Sequence, residues 1–232
     1  MKNYLILLCA ICLAINVNAQ KKETRKLDNF TSIKVSGGIS VELLKGKPSA
    51  DIEVIKGELD ELVTEVKRGV LHIKFDKKGM FNWSSGNRKA HMKVRGDLNL
   101  ESIDASAGSY IGSEETIESK EIDIDASSGG KIELAIDCYN ASCNASSGGH
   151  LRLNGVAESL AVDASSGGHY NGKNLKSESV DVDASSGGSA SVWATKSIKA
   201  NASSGGSVKY KGDPRSKDID VGKYSGGSVR KM

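Results

Sequence analysis

The stretch Leu160-Ala161-Val162-Asp163-Ala164-Ser165-Ser166-Gly167-Gly168-His169 is one of several near-copies, and their recurrence decides the fold. The phrase DASSGG begins at Asp125, Asp163 and Asp183, and NASSGG begins at Asn144 and Asn201. A looser copy, DASAGS, begins at Asp104, and a degenerate GKYSGG begins at Gly222. Successive starts lie 21, 19, 19, 20, 18 and 21 residues apart. A unit this short cannot enclose a core alone, so the copies must stack and share one.

Within each copy the residues one and three before the Asp or Asn are apolar. Val162 and Leu160, Ile124 and Ile122, Val182 and Val180, and Ala200 and Ile198 hold these places, and Val221 and Ile219 precede Gly222. Apolar residues two apart, with polar ones between, mark a strand with one buried face. The following Ala (105, 126, 145, 164, 184 and 202) continues that face. Beyond the Gly pair the pattern restarts: Ile132 and Leu134, Leu151 and Leu153, Ala190 and Val192, Val208 and Tyr210.

Each period therefore holds at least two strands with a Gly corner between them, and a third strand or turn. The corner glycines are Gly129-Gly130, Gly148-Gly149, Gly167-Gly168, Gly187-Gly188 and Gly205-Gly206. Glycine suits such corners because it accepts positive φ without steric conflict. Strands from successive coils, about 4.8 Å apart, stack into a column. The expected fold is all-β: a parallel β-solenoid with coils of about twenty residues, right-handed as parallel crossovers usually are. A sandwich or up-and-down barrel would not need matching residues in every copy.

A SIKVSGGISVEL opening at Ser32–Leu43 followed by reiterated DASSGG resembles the auto-transporter adhesin, head GIN domain family of Gram-negative bacteria. The likeness covers nearly all of the chain after its leader. It implies a β-helical fold and adhesion at the cell surface, and it carries over no catalytic residues. An auto-transporter label also implies a membrane translocator, for which this sequence leaves no segment.

Residues 1–19 read as a signal peptide. Lys2 precedes an apolar run, Tyr4 to Ile15, that is too short to span a membrane, and Val17-Asn18-Ala19 leads into a cut before Gln20. Neither Cys9 nor Cys12 follows a convincing lipobox. Residues 20–232 then form one solenoid domain, with 101–232 as regular coils. Segment 27–100 alternates apolar and polar less regularly and serves as an N-terminal cap, which a solenoid needs to hide its open end. Glu58 to Val66 is expected to make one or two helical turns, and Gly79 to Lys89, with Trp83, an exposed loop. The C-terminal end is less well capped.

The formal charge of +3, falling to +2 without Lys2, offers no footprint for nucleic acid or a membrane surface. Asp104, Asp125, Asn144, Asp163, Asp183 and Asn201 form an outward column. Stacked carboxylates repel unless neutralised, and a divalent cation could bridge them. The favoured alternative is that each bonds backbone amides in its own turn.

His150 and His169 follow the Gly pair in consecutive coils and are expected to be neighbours. A shared transition metal is the sharper reading and a surface pair without a role the favoured one, since the other coils carry Lys131, Ser189, Ser207 and Ser228 there. Cys143 aligns with Val162 and Cys138 with Ala157. Export permits a disulfide between them, although the inward direction of Cys143 works against it.

No G-x-S-x-G elbow occurs, the serines repeat with the scaffold, and no cofactor motif is present. The expectation is an exported, non-catalytic, adhesin-like protein, located in the periplasm, on the outer surface or secreted. Its partner would be an extracellular glycan or surface protein, with self-association available through the end coils. The alternative is a carbohydrate-active β-helix enzyme or polysaccharide-binding module.

Overall fold

The computed structural model describes residues 21–76, 88–222 and 226–232. The expected signal peptide lies outside them, as does the expected loop at Gly79–Lys89 apart from Arg88 and Lys89. The N-terminal part contains β1 (Lys21–Lys26), β2 (Ser32–Ser36), β3 (Ile39–Lys45), β4 (Ser49–Lys56), β5 (Leu62–Lys67), β6 (Val70–Phe75) and β7 (Lys89–Gly96). The coils follow as β8 (Ser102–Ser106), β9 (Tyr110–Ala126), β10 (Lys131–Ala145), β11 (His150–Ala164), β12 (His169–Ala184) and β13 (Ser189–Ala202). The last pieces are β14 (Ser207–Lys211), β15 (Ser216–Val221) and β16 (Ser228–Lys231).

Strands β8 to β16 pair only in parallel, each coil on the next, in a β-solenoid of about seven turns. The repeat phrases lie in register. Asp104 pairs with Asp125, Asp125 with Asn144, Asn144 with Asp163, Asp163 with Asp183, and Asp183 with Asn201. Coil lengths differ by up to three residues, and the differences are absorbed where the ladders shift, such as between Arg152 and Asn154. A bulge takes up an extra residue without changing which side chains face inward elsewhere.

Each regular coil is one long strand rather than two. In β10 the side chains of Ile132, Leu134, Ile136 and Cys138 are buried, then Tyr139 and Asn140 both face out, then Ala141, Cys143 and Ala145 are buried. The change of parity at Tyr139–Asn140 marks a second corner, where the chain turns without breaking its ladder bonds. Stacked inward columns such as Ile132–Leu151–Tyr170–Ala190–Val208 make the core.

The SSGG corner divides its labour between residues. Ser147 and Gly148 both have positive φ, 49° and 73°, and nothing lies within 4 Å of a Cβ built on Gly148. Gly149 is different: a Cβ there would meet the Ala126 carbonyl oxygen of the preceding coil at 1.9 Å. Ser146 N donates to Ala126 O, Gly149 N to Ser146 O, and His150 N to Gly130 O. Each turn thus satisfies its backbone groups partly within itself and partly on the turn of the preceding coil, as buried backbone requires.

The N-terminal part lies at one end of the stack, with β2 and β3 as a first coil against β8 and β9. Strand β2 lies between β6 and β8, and β3 between β7 and β9. The echo between Ser32–Val35 and Ser102–Ala105 is a direct pairing. Outside this coil run antiparallel strands, β1–β4–β7 on one side and β5–β6 on the other. The Arg25 guanidinium on β1 donates to the carbonyls of Leu59 and Leu62, joining the two sides. The expected helical turns reduce to a 3-10 turn at Leu59–Glu61, because Leu62 to Lys67 pairs with β6 as a strand.

At the other end the last copy is out of step with its reading from sequence. Asn201 pairs with Asp220, not Gly222, and Ala202 pairs with Val221. Gly227 nevertheless sits over the Ala202 carbonyl as the second corner glycine, so this turn carries two extra residues. Lys217 pairs with Ile198 in the register but is exposed, its ammonium 3.7 Å from Asp213, and Ile219 and Val221 are 42 and 39% exposed. A charged side chain on an edge strand discourages another strand from adding to it.

Candidate functional site

The Asp/Asn column faces outward and is stabilised across coils, not within its turns. Asn144 Nδ2 donates to Asp125 Oδ2 at 2.8 Å and Asn201 Nδ2 to Asp183 Oδ1 at 2.7 Å. The Lys34 ammonium lies 3.5 Å from Asp104. The expected bonds to local backbone amides are replaced by this ladder, because the turn amides already bond to carbonyls. Burial, and then the neighbouring Asp104 carboxylate, raise the Asp125 pKa above its ordinary value. Asparagine thus interrupts the column after every two carboxylates.

His150 and His169 are neighbours as expected, with ring centroids 5.0 Å apart and planes 8° from parallel. His169 Nδ1 lies 2.6 Å from Ser189 Oγ. Burial, helped by His169 and Lys131, lowers the His150 pKa. Ring nitrogens bind metal through lone pairs in the ring plane, so a face-to-face stack does not aim two of them at one ion. Among the described residues no group of three or more His, Cys, Asp or Glu is placed to hold a metal.

Cys138 and Cys143 are free, buried thiols, so the option of a disulfide is not taken up. Each fills its own inward column, Cys138 beside Ala157 and Cys143 beside Val162. Burial pushes the Cys138 pKa up to about 11 and that of Cys143 higher still. Thiols so shifted are poor nucleophiles at neutral pH.

What the sequence reading missed lies at the second corner. In successive coils the inward residue there is small: Cys138, Ala157 and Ser177 pair in register and are 6, 4 and 0% exposed. Outward residues on either side stand up as two rims. Glu118, Asp137, Val156 and Lys176 form one by direct pairing, while Tyr139, Glu158 and Glu178 begin the other. The result is a trough of about 1450 Å³ that runs from Lys45 and Asp97 to Lys196, across the coils. Tyr139 is 57% exposed and Val156 44%. The available signal was the column of small residues just before the change of parity.

A second cleft, of about 640 Å³, lies over the antiparallel N-terminal strands. Its charges neutralise one another: Lys22 with Glu53, Lys93 with Glu42, and Arg95 with Asp51. In the trough, Glu118, Asp137, Glu158 and Lys176 have no ion-pair or hydrogen-bond partner among the described residues, so they are available to a ligand. No described helix is long and apolar enough to cross a membrane.

Several solved structures share the fold. One, a "putative adhesin" from Bacteroides fragilis, has 19% identity and a TM-score of 0.83, covering 93% of this chain and 98% of its own. A "putative lipid binding protein" from Parabacteroides distasonis has 21% identity and a TM-score of 0.66 over the same shares. A "putative adhesin" from Parabacteroides merdae has 17% identity and a TM-score of 0.60, covering 93% of this chain and 97% of its own. At these identities the likeness is one of fold. No curated protein matches the chain. Residues 29–214 match the family described as "Putative auto-transporter adhesin, head GIN domain", and with most of its length so matched the chain belongs to that family.

Proposed function

We propose that, after removal of residues 1–19, the chain is an exported, non-catalytic, adhesin-like protein that holds an extended polar partner by weak contacts repeated from coil to coil. The observation that carries this reading is the trough, in which β10, β11 and β12 each add one small floor residue and one rim residue in register, with a further outward residue beside them. A partner lying along the axis meets the same kind of contact several times. Contacts of this sort hold through effective concentration rather than single-site strength. An enzyme instead needs converging groups with a base tuned to its task. The carboxyl whose pKa is raised, Asp125, lies in the Asn-interrupted ladder and not among the residues that line the trough.

The test compares the chain clustered on beads with the soluble monomer. Clustered protein is expected to retain a surface ligand that the monomer binds weakly. Turnover of a polysaccharide by purified protein, abolished by one carboxylate substitution, would establish the enzyme reading instead.

A further inference from the structure

We infer that the trough takes one strand of an uncharged polysaccharide laid along the solenoid axis, with Tyr139 as its stacking platform. This rests on the binding role proposed above and adds the chemistry of the ligand.

Size comes first. Pockets for small molecules occupy roughly 300–1,000 Å³, and a trough of about 1450 Å³ open along several coils exceeds them. Coils repeat about every 4.8 Å along the axis, close to the length of one pyranose unit in an extended glycan. A polymer in this trough therefore meets one coil with each sugar.

Chemistry comes second. A sugar ring has an apolar C–H face and a rim of hydroxyls. Tyr139 offers an exposed aromatic face beside a shallow floor of Cys138 and Ala157, and Val156 offers an exposed apolar edge across from it. Glu118, Asp137 and Glu158 each present an unpaired carboxylate, able to accept from two adjacent hydroxyls in charge-assisted hydrogen bonds. Lys176 supplies donors for ring and hydroxyl oxygens.

Sign of charge comes third. Carboxylates outnumber ammonium groups along the trough, six against four, which disfavours an acidic polysaccharide. A protein partner would be held best by aromatic and arginine anchors. Among the described residues, the trough is lined by no arginine, and Tyr139 is its single aromatic.

The experiment uses the full mature chain in affinity electrophoresis through gels containing xylan, mannan, mixed-linkage β-glucan or polygalacturonate, at low and high salt. Retardation is expected in at least one of the three uncharged polymers, with little dependence on salt. Tyr139→Ala should weaken it about tenfold, the loss of one stacking anchor, with the melting temperature unchanged. Retardation by polygalacturonate alone, equal retardation of Tyr139→Ala, or no retardation in any gel would overturn the assignment. If beads still retain a surface ligand in those cases, the binding role stands and only the ligand class is wrong. If beads retain nothing, both fail.

Discussion

Gly168 sits so close beneath Ala145 that a Cβ on it would lie 1.9 Å from the Ala145 carbonyl oxygen. Its neighbour Gly167 has φ of +74° but open space where its Cβ would be. The two glycines of each corner are thus required for different reasons, one steric and one conformational. Gly168→Ala should destabilise by about 3 kcal/mol or more, since backbone must move and the ladder bonds of the turn go with it. Gly167→Ala should cost about 1–2 kcal/mol, the ordinary penalty of left-handed backbone. Chemical denaturation of both variants checks this, and equal losses would show that the close approach is not what demands glycine.

The carboxylate ladder predicts a dependence on pH. The Asp125 pKa is raised in the folded chain, so its protonated form is favoured by folding. Its contribution to stability is full below the unfolded pKa and is lost as pH rises through the folded one. Asp125→Asn keeps an acceptor for Asn144 and removes the repulsion from Asp104. It should stabilise at neutral pH by a few tenths of a kcal/mol up to about 1, as for a like-charged cross-strand pair. Melting curves against pH should show the gain vanish below the carboxylate range, and a gain of the same size at all pH values would refute the electrostatic origin.

Tyr170 carries a buried hydroxyl with no hydrogen-bond partner of normal geometry, beside the Cys143 thiol. Its ring lies across Gly172, where a Cβ would meet the hydroxyl at 2.5 Å and a ring carbon at 2.6 Å. Tyr170→Phe should therefore stabilise by about 1 kcal/mol, by removing a desolvated polar group. Gly172→Ala should destabilise by about 1–3 kcal/mol, with Tyr170→Phe relieving only part of that because the ring carbons remain. A loss of stability in Tyr170→Phe would show that the hydroxyl is satisfied after all.

Stacked similar units tolerate the loss of one. Asp163 and Asp183 are direct partners, so deleting residues 163–182 joins Val162 to Asp183 in the original phase. The shortened chain should fold, with β-rich circular dichroism and a cooperative melt. A disordered product would remove the main support for independent coils. Within the intact chain, Ala164→Leu should cost about 1–3 kcal/mol at its fully buried site, whereas Asp163→Asn should be nearly silent.

The solenoid was legible because its evidence is local and repeated. Alternating apolar residues before each Asp or Asn, one Ala after it and a Gly pair define the inward face in every copy, and the side-chain period of two leaves little freedom once one residue is assigned. The pairing of Asp125, Asn144, Asp163 and Asp183, and the inward direction of Cys143, follow from that pattern. Where the pattern degenerates, as at Gly222, the repeat phrase falls two residues out of register, because only the ladder to Asn201 and Ala202 shows that the insertion lies after Val221.

Other features depend on contacts between residues far apart in the chain. No local pattern shows that β2 lies between β6 and β8, since that order rests on pairings between strands far apart in the chain, with β4 and β5 antiparallel to β7 and β6. Nor does a lone Gly168 reveal which oxygen crowds it. The trough is of the same kind. Cys138, Ala157 and Ser177 share no residue type, and they form a floor only because three coils bring the same corner into register. The sequence by itself determined the period, the inward face and the stacking, because these are properties of each coil. Only the tertiary structure decided where the surface is concave and which charges go unpaired, because those are properties of the spaces between coils.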